Sequence, residues 1–131
     1  MNVTDYIRHL LTEYSGHSLQ MSVDLYIALL PDAPDNVAAL YDKSGEAPVN
    51  DLSGTSIQYS DVLILVRDLD YQQAFTRLQK LDEAVNLTRN QVYNQHTFIL
   101  VHRISDVVFN YFDEKKRAVA SATYRVYYTL N

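Results

Sequence analysis

The middle of the chain changes from a strand pattern to a helix pattern. Residues 57–67 begin half-apolar and pass into an unbroken apolar run at 62–66, which predicts a central strand covered on both faces. Tyr71–Val85 then carries apolar residues at helical spacing. Asp70 before it is a good N-cap, with Gln73 three residues later as in a capping box. This strand and helix are the predicted core of a small α+β domain.

The segments before this pair predict one further helix and two strands. Residues 2–15 keep apolar side chains at i, i+3 and i+4, and Gly16 follows as a helix terminator. Residues 23–30 and 37–41 have the apolar character of strands, the first apolar on both faces over its second half. The Pro- and Asp-rich cluster 31–36 between them predicts a chain reversal.

The C-terminal third predicts three more strands. Residues 97–104, 107–112 and 118–130 have strand patterns, and the last shows the cleanest alternation in the chain. Residues 86–95 are polar and ambiguous, with a frayed helical turn around Val92 as one interpretation.

These elements predict one α+β domain over residues 1–131, in the order α-β-β-β-α-β-β-β. All strand connections except the helix crossover are short, so a sheet of about five to six strands should be mostly antiparallel. The long irregular segment is 42–56. Two helices cannot easily cover both faces of such a sheet. An uncovered apolar face is normally a partner site, so the pattern favours self-association or docking into a larger assembly.

Composition narrows the function classes. The net charge of −5 gives no electrostatic reason to expect nucleic acid. The chain has no cysteine, which removes disulfides and thiolate chemistry. Its apolar runs, of about six residues, are too short to span a bilayer, and the N-terminus has no long apolar stretch typical of a secretion signal. We therefore expect neither nucleic-acid-specific binding nor a membrane partner.

No group of residues has the spacing of a catalytic or metal site. His96 and His102 would lie roughly 20 Å apart along a strand, too far to share a metal. Asp32 and Asp35 flank Pro34 and are interpreted as turn formers. The basic run 115–117 is interpreted as a solvated hairpin tip, and no phosphate-binding glycine motif is present. The sequence predicts a protein that is not an enzyme and has no metal or cofactor. A small enzyme or ligand-binding module with 42–56 as a lid remains an alternative.

Two stretches resemble a known family. Residues 30–42, LPDAPDNVAALYD, resemble the LPD-x-PDN…(V/I)YD stretch of phage tail terminator and minor capsid proteins of siphovirus-type phages. Residues 62–75, VLILVRDLDYQQAF, are similar to that family's (V/I)Q(V/I)RVRG-x-DY-x-EAY strand and helix. The chain departs from the family at Lys43-Ser44-Gly45, where two adjacent glycines are common, and in the turn 113–116, which has no glycine.

The resemblance implies a structural virion protein with no catalytic residue and no cofactor. Members of this group form rings, commonly hexamers, that cap the major tail protein, stop tube growth and meet the connector protein of the head. The implied location is the head–tail interface of the virion, after assembly in the host cytoplasm. A head-completion or minor capsid component with the same fold is the alternative role.

A ring would use the second sheet face and the long loop for its contacts. We expect subunit contacts, or the core that supports them, at Tyr26, Ala28, Tyr41, Tyr124 and Tyr128. The loop residues expected to meet a partner are Ser44, Gly45, Asn50 and Gly54.

Overall fold

The computed structural model describes residues 3–13, 24–43, 49–50 and 56–130. Two helices and eight strands are present in these ranges. The helices are α1 (Val3–Glu13) and α2 (Tyr71–Val85). The strands are β1 (Leu25–Ile27), β2 (Val37–Lys43), β3 (Val49–Asn50), β4 (Ser56–Asp68), β5 (Arg89–Tyr93), β6 (His96–Arg103), β7 (Val108–Phe112) and β8 (Ala118–Leu130).

All eight strands belong to one sheet, ordered β1-β2-β4-β8-β6-β5, with β3 paired to β4 and β7 paired to β8. The β1–β2 pairing is parallel, and every other strand pairing of the described residues is antiparallel. At the centre, β4 and β8 are 13 residues each and pair from Ile57 opposite Thr129 to Asp68 opposite Ala118. The predicted α+β class, order of elements and central position of β4 are confirmed.

One face of the sheet, here called the helix face, packs against both helices. Val62, Ile64 and Val66 of β4 are completely buried there. From α2, Ala74, Leu78, Leu81 and Val85 enter the same core, because residues three and four apart share one side of a helix. α1 contributes its own buried residues and stacks Tyr6 on Phe98, with ring centroids 3.8 Å apart. This continuous apolar layer is the hydrophobic core of the fold.

The observed bounds of α2 match the predicted helix. The Asp70 carboxylate accepts a hydrogen bond from the backbone N–H of Gln72 at 3.2 Å, and the Ala74 N–H donates to the Asp70 carbonyl at 3.0 Å. Asp70 is therefore the N-cap, because it satisfies an N–H group that the first helical turn leaves without a partner. α1 ends at Glu13, and the predicted terminator Gly16 lies outside the described residues.

The opposite side of the sheet, here called the second face, differs from the predicted apolar surface. Alternation along β4 and β8 places Asp61, Leu63, Leu65 and Arg67 on this face, opposite Arg125, Thr123, Ser121 and Val119. Leu63 and Leu65 are half-buried, whereas Asp61 and Arg67 are buried. Several polar and ion-paired side chains therefore separate the apolar ones, so the second face is not an open hydrophobic surface.

Strand β1 is shorter than predicted and lies at an edge of the sheet. It ends at Ile27 because Ala28 takes a left-handed backbone conformation, φ 58°, which a continuing strand does not accommodate. Leu29 beyond it is 53% exposed. The predicted strand is therefore confirmed only over Leu25–Ile27, and its extension to residue 30 with both faces covered was wrong. Residue 23 lies outside the described residues.

Residues 86–95 contain strand β5 rather than a helical turn. β5 pairs with β6, and the connecting Asn94 and Gln95 both have positive φ, 50° and 66°. That conformation is a two-residue hairpin turn matched to the twist of the strands. The polar sequence of β5 reflects an exposed edge strand.

The segment 42–56 is less irregular than predicted. β2 extends to Lys43, β3 pairs Val49 with Ile57 and Asn50 with Ser56, and β4 begins at Ser56. Strand pairing thus occupies both ends of the predicted loop and part of its middle.

Candidate interaction surfaces

The predicted contact residues do not form one surface. Tyr124 is completely buried, and its hydroxyl donates to the Asp82 carboxylate at 2.6 Å. Asp82 in turn pairs with Arg103 at 3.2 Å. Burial, reinforced by the Asp82 carboxylate, raises the pKa of Tyr124 well above its ordinary value. Tyr124 therefore joins β8 to α2 inside the fold and supports a surface only indirectly.

The other four predicted residues are divided between the core and the second face. Tyr128 is half-buried against the core, with its ring 5.9 Å from that of Phe98. Tyr41 is half-buried on the second face, where burial and then nearby Tyr111 raise its pKa. Tyr26 is half-buried on the edge strand β1, and exposed Ala28 follows it, its N–H donating to the Leu40 carbonyl at 2.7 Å. Their role in subunit contacts stays a prediction.

The predicted partner loop lies mostly outside the described residues. Ser44, Gly45 and Gly54 belong to that part of the chain, and Asn50 is placed only by its backbone pairing in β3.

Two buried arginines hold the turn 31–36 against the end of the sheet. The Arg67 guanidinium donates to the carbonyl oxygens of Pro34 at 2.6 Å and Asp35 at 3.2 Å. Arg117 donates to the Asp32 carbonyl at 2.6 Å. The two guanidinium groups thus donate hydrogen bonds to carbonyl oxygens of the turn, which would otherwise need backbone N–H donors.

Arg117 also gathers three carboxylates around it. Its guanidinium lies 2.8 Å from the Asp113 carboxylate and 3.2 Å from those of Asp32 and Asp35. The interpretation of 115–117 as a solvated run was wrong for Arg117, which is buried. The acidic residues interpreted as turn formers do lie in the turn, and they are also its ionic anchors.

Asp32 and Asp113 of this cluster are stabilised in their charged form. The hydrogen bond from Lys115, 2.5 Å long, holds the pKa of Asp32 below its ordinary value. Burial would raise the pKa of Asp113, but hydrogen bonds from the backbone and side chain of Arg117 and from the backbone of Lys115 outweigh it and lower that pKa. The cluster is consequently a structural clamp, with its charges already compensated.

A second ionic group lies on the second face between β4 and β8. Arg125 makes a two-pronged contact to Asp61, at 2.9 and 3.1 Å, and its guanidinium carbon lies 4.4 Å above the centre of the Tyr59 ring. These contacts use the guanidinium plane and its donors together. The geometry is that of a cross-strand brace.

Among the described residues, five of the ten exposed large apolar side chains lie on β7 or next to the N-terminus of α2. Two of them lie side by side where α2 meets β7. We call this the α2–β7 patch. Its exposed members are Tyr71 and Phe112, whose ring centroids lie 6.4 Å apart. The exposed Val108 and Tyr111 pair with Ser121 and Val119 and therefore lie on the second face of the sheet.

The aromatic rings of this patch contact one another. Tyr71 lies 5.1 Å from both Phe75 and Phe109, and Phe109 lies 4.9 Å from Phe112, all between ring centroids. A bulge at Asn110 in β7 changes the pairing from Phe109 opposite Ala120 to Tyr111 opposite Val119. The bulge brings Phe109 and Phe112 to the same face, which explains how an aromatic group forms on a short edge strand.

A cleft of about 430 Å³ adjoins the patch. Tyr111 and Phe112 line one side of it, and the hairpin residues 113–115, Asp32 and Arg117 line the rest. Most of its charged groups already form ion pairs with one another. We therefore interpret the cleft as part of an interaction surface rather than as a catalytic site.

A smaller apolar surface lies on and beside β5. Leu87 is 55% exposed and Val92 is 70% exposed, and the exposed Arg89 lies between them in sequence. We call these three residues the β5 patch. The outer edge of β5 pairs with no other strand of the described residues.

The described ranges contain no group of three or more His, Cys, Asp or Glu residues that could hold a metal ion. Within those same ranges, neither helix is long and apolar enough to cross a membrane.

Comparison with known proteins assigns the chain to a class of viral structural proteins. The family model described as "Bacteriophage tail terminator protein" matches residues 15–130, and the chain belongs to this family. The resemblance of residues 30–42 and 62–75 is thereby confirmed. The protein is a structural component of a phage-type tail and virion.

The fold is shared with a component of an assembled particle. A chain of the structure titled "Virion of native gene transfer agent (GTA) particle" superposes with a TM-score of 0.71. The match covers 97% of this chain and 94% of that one at 11% sequence identity, a level at which the likeness establishes the fold alone. No curated protein matches the sequence significantly.

Proposed function

We propose that this protein forms a ring at the head-proximal end of a phage tail, where it terminates tube polymerisation and joins the tail to the head. The observation that carries the proposal is the tail terminator match across residues 15–130. The proposed partners are further copies of this chain, six in a ring by analogy with the group, the major tail protein on one side and a head-completion or connector protein on the other.

The distribution of stability and exposure supports this role. A continuous core and two buried arginines hold the subunit together, while half of its exposed large apolar side chains, among the described residues, lie on β7 or next to the N-terminus of α2. Exposed apolar patches rimmed by polar residues are typical of protein–protein contact sites. No comparable convergence of reactive groups supports the enzyme alternative in the part of the chain that the structure describes.

The decisive experiment removes the gene from a phage that carries it and measures tail length by negative-stain electron microscopy. We expect unjoined tails with a broad, overlong distribution of lengths, and restoration of uniform length when the wild-type protein is supplied. Tails of normal length that fail to join heads would contradict termination and favour the head-completion role.

A second measurement addresses the ring itself. Size-exclusion chromatography with light scattering over a concentration series should show a closed oligomer, and its mass would give the subunit number. Addition of purified tail tubes should shift the protein into the tube fraction.

A further inference from the structure

The turn 31–36 is attached to the fold by side chains rather than by its own backbone. Five of its six residues are exposed, and none belongs to the hydrophobic core. Among the described residues, no backbone–backbone hydrogen bond joins the turn to another segment. Segments with little buried apolar surface and few protected backbone hydrogen bonds open at a lower free energy than the fold as a whole.

The attachment depends on two buried guanidinium groups. Arg67, near the end of β4, donates to the carbonyl oxygens of Pro34 and Asp35. Arg117, next to β8, donates to the Asp32 carbonyl and forms ion pairs with the Asp32 and Asp35 carboxylates. Hydrogen bonds to a charged group are stronger than those between neutral groups. Two side chains therefore control whether the turn stays in place.

Two weaker contacts complete the attachment. Lys115 pairs with Asp32, but both side chains are mostly exposed to solvent. The Leu69 N–H donates to the Asn36 side chain over 3.4 Å, which is long for a hydrogen bond. Exposed ion pairs contribute little to stability, so neither contact would hold the turn alone.

Opening of the turn leaves no buried charge without a partner. Arg117 keeps the Asp113 carboxylate, 2.8 Å away in its own hairpin. The carboxylates of Asp32 and Asp35 are already exposed. Arg67 is 2% exposed, and both acceptors that the described residues provide for it lie in the turn. Departure of the turn therefore exposes this guanidinium to water, where its charge is solvated.

The same turn forms one wall of the 430 Å³ cleft. Asp32 is its contribution, and the other lining residues all come from the segment 111–117. Arg67 and Tyr111 lie on either side of Val119 on the second face. An open turn would thus widen the cleft and present Arg67 close to the aromatic wall.

We propose that the turn 31–36 is a gate of this cleft, which opens and closes as a unit and is held closed by Arg67 and Arg117. The interaction surface at this end of the sheet then exists in two forms. A partner that binds only one form shifts the equilibrium toward it. The inference goes beyond the proposed ring function and does not depend on it.

Two spin labels measure the opening directly, because the chain has no cysteine of its own. Ala33→Cys places one label in the exposed turn, and Gln79→Cys places the other at an exposed position of α2. Pulsed electron paramagnetic resonance then gives the distribution of distances between the labels. The otherwise wild-type chain should give one narrow distribution, which represents the closed form.

Arg67→Met in this background should add a population at longer distances. It removes the donors to both carbonyl oxygens, and the ratio of open to closed form should rise at least about 10-fold. The double change Asp32→Asn and Asp35→Asn removes only exposed ion pairs and should raise the ratio less, roughly 5-fold. Both variants should keep a cooperative urea transition.

Asp61→Asn is the matched control. It removes another aspartate–arginine pair of the second face, the one with Arg125, and should leave the distance distribution unchanged. A narrow distribution retained in Arg67→Met, a broad one in the wild-type background, or equal broadening in Asp61→Asn would overturn the inference. If Arg67→Met does not fold, Arg67→Lys takes its place, because lysine keeps the charge but lacks the planar fork that reaches both carbonyls.

Discussion

The two faces of the sheet are built on different physical principles. On the helix face, β4 buries Val62, Ile64 and Val66 against two helices. On the second face, the same strand presents Asp61 and Arg67, which are buried by pairing with other charged or polar groups. The comparison indicates that the helix face determines whether the chain folds, whereas the second face fixes the register of the strands and the position of the turn 31–36. Substitutions on the two faces and changes of pH should therefore have distinct effects on stability.

The largest effect is expected for Ile64→Asp on the helix face. A carboxylate at this completely buried position has no polar partner in the apolar core, so the loss should exceed about 4 kcal/mol and abolish folding. Leu63→Asp is the matched control because Leu63 is adjacent, half-buried and on the second face. It should remain folded, with a loss of about 1–2 kcal/mol in urea unfolding. A soluble, cooperatively unfolding Ile64→Asp variant would contradict the comparison.

The second-largest loss of stability is expected at alkaline pH, through a buried tyrosine on the helix face. Burial raises the pKa of Tyr6 from its ordinary 10.0 to about 12. The native state therefore keeps the phenol proton while the unfolded chain releases it, so stability should fall as pH rises from about 10 to 12. The effect reaches about 2 kcal/mol. Thermal unfolding from pH 8 to 11.5 measures it, and Tyr6→Phe should flatten the profile. An unchanged slope in that variant would assign the alkaline loss to other groups.

Removal of the Tyr124 hydroxyl should have a moderate effect. Tyr124→Phe preserves the buried ring but leaves Asp82 with only its contact to Arg103. A loss of about 1–2 kcal/mol is expected in chemical denaturation. Tyr128→Phe, at a half-buried ring on the same strand, serves as the control and should change stability less. Equal losses in the two variants would show that the Asp82 contact adds little.

A smaller effect is expected for the brace on the second face. Asp61→Asn removes the charge from the contact with Arg125 while keeping a similar shape, and should cost about 1 kcal/mol because part of the Arg125 side chain remains solvated. The test is a double-mutant cycle with Arg125→Met. A coupling energy near zero would mean that the brace does not stabilise the register.

Acid should destabilise the fold through the carboxylates that pair with Arg117, rather than through the apolar core on the helix face. The pKa values of Asp32 and Asp113 are lowered in the fold, so their contribution is present above the ordinary carboxyl pKa of about 3.9 and is lost as pH falls through the lowered values. Melting temperatures should therefore decrease below about pH 4. An Asp113→Asn variant should show a shallower decrease. A wild-type profile that stays flat to pH 2.5 would contradict this account of the clamp.

The sequence identified elements whose signal is local. The helix α2 has six apolar positions at helical spacing and an N-cap next to it, and β8 alternates over most of its length, so few alternative structures satisfy either pattern. The short strands β3 and β5 were missed because two residues, or five mostly polar ones, carry too little periodicity. Their strand conformation comes from pairing with β4 and β6.

The interaction surfaces show the same limit. The tyrosines expected at subunit contacts are divided between core and surface, and Tyr124 proved to be completely buried. Alternation shows which residues share a face, but it does not show which face is covered by helices. The exposed run in β7 could have been suspected from its lack of charge, yet its exposure depends on β7 being an edge strand.

Local patterns in the chain were sufficient to predict the α+β class, the central strand, both helices and the family resemblance, because each rests on residues close together in the chain. Only the folded structure shows that Arg117 leaves an apparently solvated run to bind Asp32, 85 positions away, and that the exposed rings of Tyr71 and Phe112 lie beside each other. Such contacts depend on the free energy of bringing distant segments together, which no local periodicity records.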